Sequence, residues 1–287
     1  MRVLSGMAII ALWGIAWAFN AWLSRLTLAA GWPSRLRDLV VPVLFGVTLL
    51  ALWQVLVRGF NVPFVVLPAP SDIAGKLGAA LPTLGADLMQ TVVRAVIPGW
   101  IIGNLAGFLV AIVCDRVEFL RRGFLPIGNL FSALPLVGIS PIMVSWFGQD
   151  WQSMVAVIVV MTFFPMLVNA LAGLAASGHL ERDLMRSYGA THLQTLIKLR
   201  LPAALPFLFN AFKINSTLAL IGAIVAQFFA TTTVGMGFRI STEVGRLALD
   251  MVWAEIAVAA LVGSAFYALL VGIERAVTFW HPSFRAR

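Results

Sequence analysis

The feature that most restricts this chain is its long stretches without charge. No Asp, Glu, Lys or Arg lies between Arg2 and Arg25, Asp38 and Arg58, Arg122 and Asp150, or Asp150 and Glu181. A water-soluble domain carries about 25% charged residues. Here the charged share is 11% and the hydrophobic share 61%. Uncharged apolar runs of about 18 or more residues are long enough to cross a bilayer as helices. Inside hydrocarbon the backbone must satisfy its own hydrogen bonds, which a helix does within one segment. The chain therefore reads as all-α, a polytopic membrane helical bundle.

Seven candidate spans emerge, roughly 5–23, 39–57, 91–113, 124–147, 151–171, 207–229 and 251–273. The segment 124–147 contains Pro126, Pro135 and Pro141. Prolines are tolerated where neighbouring helices re-satisfy the backbone, so one kinked span inside the bundle is expected. For the first run, Ala29 and Ala30 would suit signal cleavage. Its apolar stretch of about 21 residues exceeds a signal core, however, so a retained span is expected.

Lysine and arginine counts give the orientation. One set of loops holds thirteen: Arg25, Arg35, Arg37, Arg116, Arg121, Arg122, Arg182, Arg186, Lys198, Arg200, Arg275, Arg285 and Arg287. The opposite set holds five: Arg2, Arg58, Lys76, Arg239 and Arg246. The thirteen-residue side is expected to be cytoplasmic, with the N-terminus outside and the C-terminus inside. This accounts for the net charge of +8 without a nucleic-acid partner. Arg94 and Lys213 fall within spans and are expected to snorkel to the interface. The single Cys114 excludes an intrachain disulfide framework and a cysteine zinc cluster, and reads as a buried inert thiol.

The segment 173–206 is the most informative loop. Leu180, Leu184 and Tyr188 recur every four residues and place one apolar stripe on a short helix. Gly189 stands where a helix end needs left-handed backbone. Thr191 and Gln194 have the spacing of a capping box, so a second helix starts at once, with Pro202 expected to close it. Helix–helix connections usually run about 2–8 residues. Two readings of this larger hairpin stand: it docks onto a partner, or it rests on lipid as an interfacial amphipathic element.

These residues resemble a known family. Asp183-Leu-Met-Arg186-Ser-Tyr188-Gly189-Ala190, followed thirteen residues after the glycine by Leu201-Pro202, resembles the coupling loop of binding-protein-dependent ABC importer permeases. Asp183 stands where glutamate is usual in the family, and Leu184-Met185 replaces a common pair of small residues. Leu67-Pro68-Ala69-Pro70-Ser71-Asp72, Ala133-Leu134-Pro135 through Trp146-Phe147-Gly148, and Gly235-Met236-Gly237 are similar to segments of the nitrate, sulfonate and taurine subfamily.

The resemblance implies a six-span ABC importer permease core plus one extra N-terminal span. Residues 1–38 would form the added transmembrane segment and a cytoplasmic linker. Residues 39–287 would form the permease domain, with its coupling loop at about 173–206. It implies a bacterial inner-membrane protein that imports a small solute, working with cytoplasmic ABC ATPase subunits, a periplasmic solute-binding protein and a second permease copy, as a homodimer. Asp183, Arg186, Tyr188, Gly189, Ala190, Leu201 and Pro202 would couple it to the ATPase. The residues fit that division of labour. A P-loop lysine must precede Ser or Thr, whereas Lys76, Lys198 and Lys213 precede Leu, Leu and Ile. ATP is therefore expected on a partner chain, and no cofactor or metal on this one.

Polar residues inside spans are costly and often functional. Asn104, Asn169, Asn215 and Gln227, with Ser216 and Thr217, are candidates for a solute path, and interhelical hydrogen bonding explains each equally well. Asp250 and Glu255 are expected at an aqueous edge. An intramembrane enzyme has no support, since none of His179, His192 and His281 belongs to an HExxH pattern. An ion-coupled secondary carrier is the alternative function. Such carriers use midplane carboxylates, and no Asp or Glu is expected deep in a span.

Overall fold

The computed structural model describes residues 34–132, 136–230 and 233–280, with helical positions scattered between 11 and 22. Most of the first candidate span, 5–23, lies outside the described residues. Every regular element among the described residues is a helix. Five of these helices are long and apolar enough to cross a membrane.

Two compact units divide the chain. The first takes residues up to Leu81 together with Glu243–Ala254. It contains helix α1 (Ser34–Gly59) and the short α2 (Pro70–Ala79). The Pro-Ala-Pro-Ser-Asp segment is a helix start. Pro70 opens α2, and the Asp72 carboxylate accepts the Ala69 amide at 3.2 Å. Arg58 of α1 pairs with Asp72 at 2.6 Å, and Gln54 exchanges two hydrogen bonds with Ser71. In the same unit Trp53 packs edge-on to Trp253, with ring centroids 4.9 Å apart.

The second unit takes Pro82–Thr242 and Glu255–Arg287. It holds most of α3 (Leu81–Arg116), α4 (Glu118–Ser132), α5 (Leu136–Phe147), α6 (Trp151–Ala175), α7 (His179–Ser187), α8 (His192–Gln227), and parts of α9 (Met236–Gly245) and α10 (Leu249–Val277). Helix α6 is its centre, wrapped by α3 and α8. Lipid is as apolar as leucine, so helices in a bilayer associate through close packing rather than hydrophobic expulsion. Gly99, Gly103 and Gly107 accordingly form a small-residue face on α3. A Cβ at Gly99 would meet Ile158 Cβ at 2.7 Å, one at Gly107 would meet the Phe163 carbonyl oxygen at 2.5 Å, and one at Gly103 would run into Thr162 Oγ1. Trp100 fills the next gap, donating to the Phe212 carbonyl at 3.2 Å and packing tilted against Phe212 and edge-on to Phe266.

Within the segment 124–147 the described residues form α4, to Ser132, and α5, from Leu136, and the residues on which one kinked span would turn, 133–135, lie outside the described residues. Two sequence expectations change here. The spans expected at 91–113 and 207–229 are longer, and each contains a π-helical stretch, Met89–Val96 in α3 and Leu196–Arg200 in α8. Both stretches end just before a proline, Pro98 and Pro202. A widened turn relieves the clash of a proline ring with the preceding turn, so the helix continues. Pro202 therefore does not close the second loop helix, which runs without a break into α8.

Lys213 is the second. It does not snorkel but pairs with Glu274 at 2.7 Å, with side chains 18% and 8% exposed. Arg94 is exposed and bonds Gln90 within its own turn. Cys114 is buried, as expected.

Gly103→Leu overpacks the α3–α6 contact and should cost about 3 kcal/mol or more. The expected result is a marked fall in the detergent unfolding temperature, whereas Gly272→Ala, where a new Cβ meets nothing within 4 Å, leaves it unchanged or raised.

Candidate functional site

The loop hairpin is built by local chemistry. Glu181 turns back to accept the Gly178 amide at 2.5 Å, which starts α7. Tyr188 caps the other end, and Gly189 follows at φ +68°. The Gly189 amide donates to the Arg186 carbonyl at 2.9 Å and the Ala190 amide to the Met185 carbonyl at 3.0 Å. Those two bonds make a Schellman motif, which needs left-handed backbone at Gly189. The Thr191–Gln194 capping box then opens α8: Gln194 N donates to Thr191 Oγ1 at 3.3 Å, and Thr191 N to Gln194 Oε1 at 2.8 Å.

Helix α7 buries none of its residues. Leu180 is 86% exposed, Leu184 56% and Tyr188 81%. Leu193 and Ile197, at the start of α8, are exposed as well. Asp183 and Arg186 form an exposed pair at 3.3 Å, of the kind worth little in stability. Leu201 and Pro202 are half-buried within α8.

Arginines tie the hairpin to the bundle. Arg182 donates to the Ala175 and Ser177 carbonyls at the end of α6. Arg200 grips Asp115 of α3 with two bonds of 2.6 Å and also donates to the Leu174 carbonyl at 3.0 Å. The Arg200 and Asp115 side chains are only 12% and 11% exposed. Arg116 Nη2 lies 3.0 Å from His192 Nδ1. None of these attachments is visible in the loop motif. The signal for them is the charge at span ends, where Asp115 and Arg116 close an apolar run.

The candidate path residues divide into separate networks. Asn104 and Asn215 are buried between α3, α6 and α8. Asn215 Nδ2 donates to Asn104 Oδ1 at 2.7 Å and to the Thr162 carbonyl at 2.8 Å, while its Oδ1 has no partner. Thr162 lies three residues before Pro165, where proline disturbs the helix ladder. Asn169 is half-buried and bonds Asn210 at 3.1 Å. Buried Ser216 donates to the Lys213 carbonyl at 2.7 Å. Thr217 lines an open apolar groove of 590 Å³ with Leu220, Ile221, Ile224, Ile256 and Tyr267.

Gln227 belongs to another cluster, around the Gly235-Met236-Gly237 turn. Three successive amides of that turn meet side-chain oxygens: Gly235 on Asp87 Oδ1 at 2.6 Å, Met236 on Thr91 Oγ1 at 2.9 Å, and Gly237 on Gln227 Oε1 at 2.8 Å. Arg239 Nε donates to Asp87 Oδ2 at 2.8 Å. Glu255 is wholly buried and faces Asp87 and Arg239. This corrects two expectations: Glu255 is not at an aqueous edge, and both Asp87 and Glu255 are buried acids. The expectation of no acid deep in a span fails at Asp87 because α3 begins about ten residues before the expected span. Asp250 does keep a partly exposed position, paired with Lys76 at 3.2 Å.

Among the described residues, no group of three or more His, Cys, Asp or Glu side chains is placed to hold a metal ion.

The family model for the binding-protein-dependent transport system inner membrane component matches residues 103–279. A taurine transport system permease protein of Escherichia coli is 29% identical, over 87% of this chain and 92% of its own length. A formylaminopyrimidine transport permease protein of Halalkalibacterium halodurans is 27% identical, over 83% and 95%. A probable ABC transporter permease protein of Haemophilus influenzae is 26% identical, over 80% and 93%. Among solved structures, an inward-facing MetNI methionine ABC transporter chain superposes with a TM-score of 0.56 at 20% identity, covering 69% of this chain and 95% of that one.

Removing one partner of the Asp115–Arg200 pair strands a poorly solvated charge and should cost roughly 3 kcal/mol. Asp115→Asn and Arg200→Gln are each expected to lower the detergent unfolding temperature. The double variant should lose less than the sum, which a double-mutant cycle measures.

Proposed function

The chain belongs to the binding-protein-dependent transport system inner membrane components, the multi-pass permeases of ABC importers, and from that membership we propose that its α7 hairpin is where a separate ATPase drives transport. One observation carries this reading: a nine-residue helix with no buried residue, whose Leu180 and Leu184, with Tyr188 at its cap, form an exposed stripe on a capped frame. Exposed apolar side chains on an ordered hairpin fit a partner groove. The tethers through Arg182 and Arg200 give force on that helix a route to the ends of α3 and α6.

In this reading the hairpin lies on the cytoplasmic side, as the basic-residue count indicates. The permease works as a pair of copies with two ATPase subunits, and a periplasmic binding protein supplies the solute. The first apolar run is a retained span. The solute is a small molecule of the kind for which the relatives are named, among them taurine, aliphatic sulfonates, nitrate, riboflavin and formylaminopyrimidine. ATP is bound by the partner. The buried pair of acids reopens the ion-coupled alternative on chemistry alone, and membership in an ABC permease family outweighs it.

The test is a pair of substitutions at Gly189, where a new Cβ meets nothing within 4 Å but φ is +68°. Asparagine tolerates that backbone, whereas a β-branched residue is strained there by about 1–3 kcal/mol. In proteoliposomes holding permease, ATPase and binding protein, Gly189→Asn should keep ATP-driven uptake. Gly189→Val should lose most of it, with the spans still folded. Normal uptake by Gly189→Val would falsify the role given to this loop.

A further inference from the structure

The hairpin contains a pocket of 310 Å³, lined by Arg182, Arg186, Ala190, His192, Thr195 and Arg200. Three of the six lining residues are guanidinium side chains, and none is a carboxylate. Asp115 neutralises Arg200 from outside the lining, and Asp183 pairs with Arg186 at the exposed rim. Among the described residues Arg182 has no such counter-charge: its hydrogen bonds there all go to neutral oxygens of Ala175 and Ser177. Arg116, whose bond is to His192, adds a further positive charge beside the pocket.

The donors are also unspent. A guanidinium carries five N–H groups and no acceptor. Arg182 uses Nε and Nη2, which leaves Nη1 without a partner among the described residues. Because Arg116 can only donate, His192 Nδ1 accepts, and a neutral imidazole ring then carries its hydrogen on Nε2. Guanidinium groups with excess positive charge suit a tetrahedral oxyanion, which planar N–H forks bind through two oxygens at once. The volume lies near the lower end of small-ligand pockets, about 300 Å³, which suits a phosphate group with its nearest substituents.

We propose that this pocket binds a phosphate oxyanion, presented by an anionic phospholipid headgroup or as free phosphate. Basic pockets at helix ends facing a negatively charged leaflet are placed to take such headgroups. The binding rests on the pocket's own chemistry. Its consequence, that an occupied pocket stiffens the hairpin against α3 and α6, rests on the coupling role proposed above.

The experiment uses the purified full-length chain in nanodiscs, without ATPase. One arm compares phosphatidylcholine discs with and without phosphatidylglycerol, reading lipid retained on extraction by native mass spectrometry. The other titrates inorganic phosphate in phosphatidylcholine discs and reads thermal protection. Retained phosphatidylglycerol supports the headgroup source, and saturable protection by phosphate supports the free anion. Arg182→Gln combined with Arg186→Gln should weaken whichever binding occurs by about tenfold or more, the effect of one lost charge-assisted hydrogen bond. Because Arg182 also caps α6, His192→Phe serves as a second variant and should weaken binding in the same direction. The proposal is overturned if wild type retains neither ligand, or if both variants bind as wild type does. Since no ATPase is present, failure here leaves the coupling reading standing, and failure of Gly189→Val to uncouple leaves this one standing.

Discussion

Everything in this structure depends on satisfying polar groups where no water is available. A buried backbone or side-chain polar atom without a partner costs several kcal/mol in hydrocarbon, and each level of the molecule answers that cost. Helices settle the backbone. Where prolines remove a donor, a π-helical stretch lies just ahead, as before Pro98 and Pro202. Where a turn leaves three amides without helical partners, Asp87, Thr91 and Gln227 meet them.

The same constraint shapes the α7 hairpin. Carbonyls at the end of α6 have no helical donors, and Arg182 and Arg200 supply them from the loop that follows. Capping the helix thereby fastens the hairpin to the bundle. The result is a loop that is rigid within itself and attached at its base, yet exposes Leu180, Leu184 and Tyr188. Such a loop can pass a displacement inward, whereas one resting slackly on lipid would dissipate it.

Much of this was legible from the residues, and the exceptions share a cause. Charge gaps locate helices because bilayer crossing is a property of one contiguous segment. The Gly189 turn and the Thr191–Gln194 box are legible because each lies within a few residues. Arg200 with Asp115, separated by 85 positions, is not, nor is Glu255 with Asp87 and Arg239. Those contacts exist only once α3, α8 and α10 are placed. Helix α8 was misread at Pro202 because a π-helical stretch leaves no mark in hydropathy. The four-residue spacing of Gly99, Gly103 and Gly107, by contrast, is a sequence signal that a search for long apolar runs passes over.

The central claim is that the α7 stripe lies in a groove of a cytoplasmic ATPase. The most direct measurement is site-specific cross-linking. Cys114 is replaced by alanine to leave no native thiol, and Leu184→Cys is then carried in a strain expressing the partner ATPase. A short thiol-reactive cross-linker applied to inside-out vesicles should join this chain to a P-loop ATPase, with a yield that changes on adding ATP. If that cysteine instead reacts only with a lipid-phase reagent and captures no ATPase, the stripe rests on the membrane and the account is contradicted.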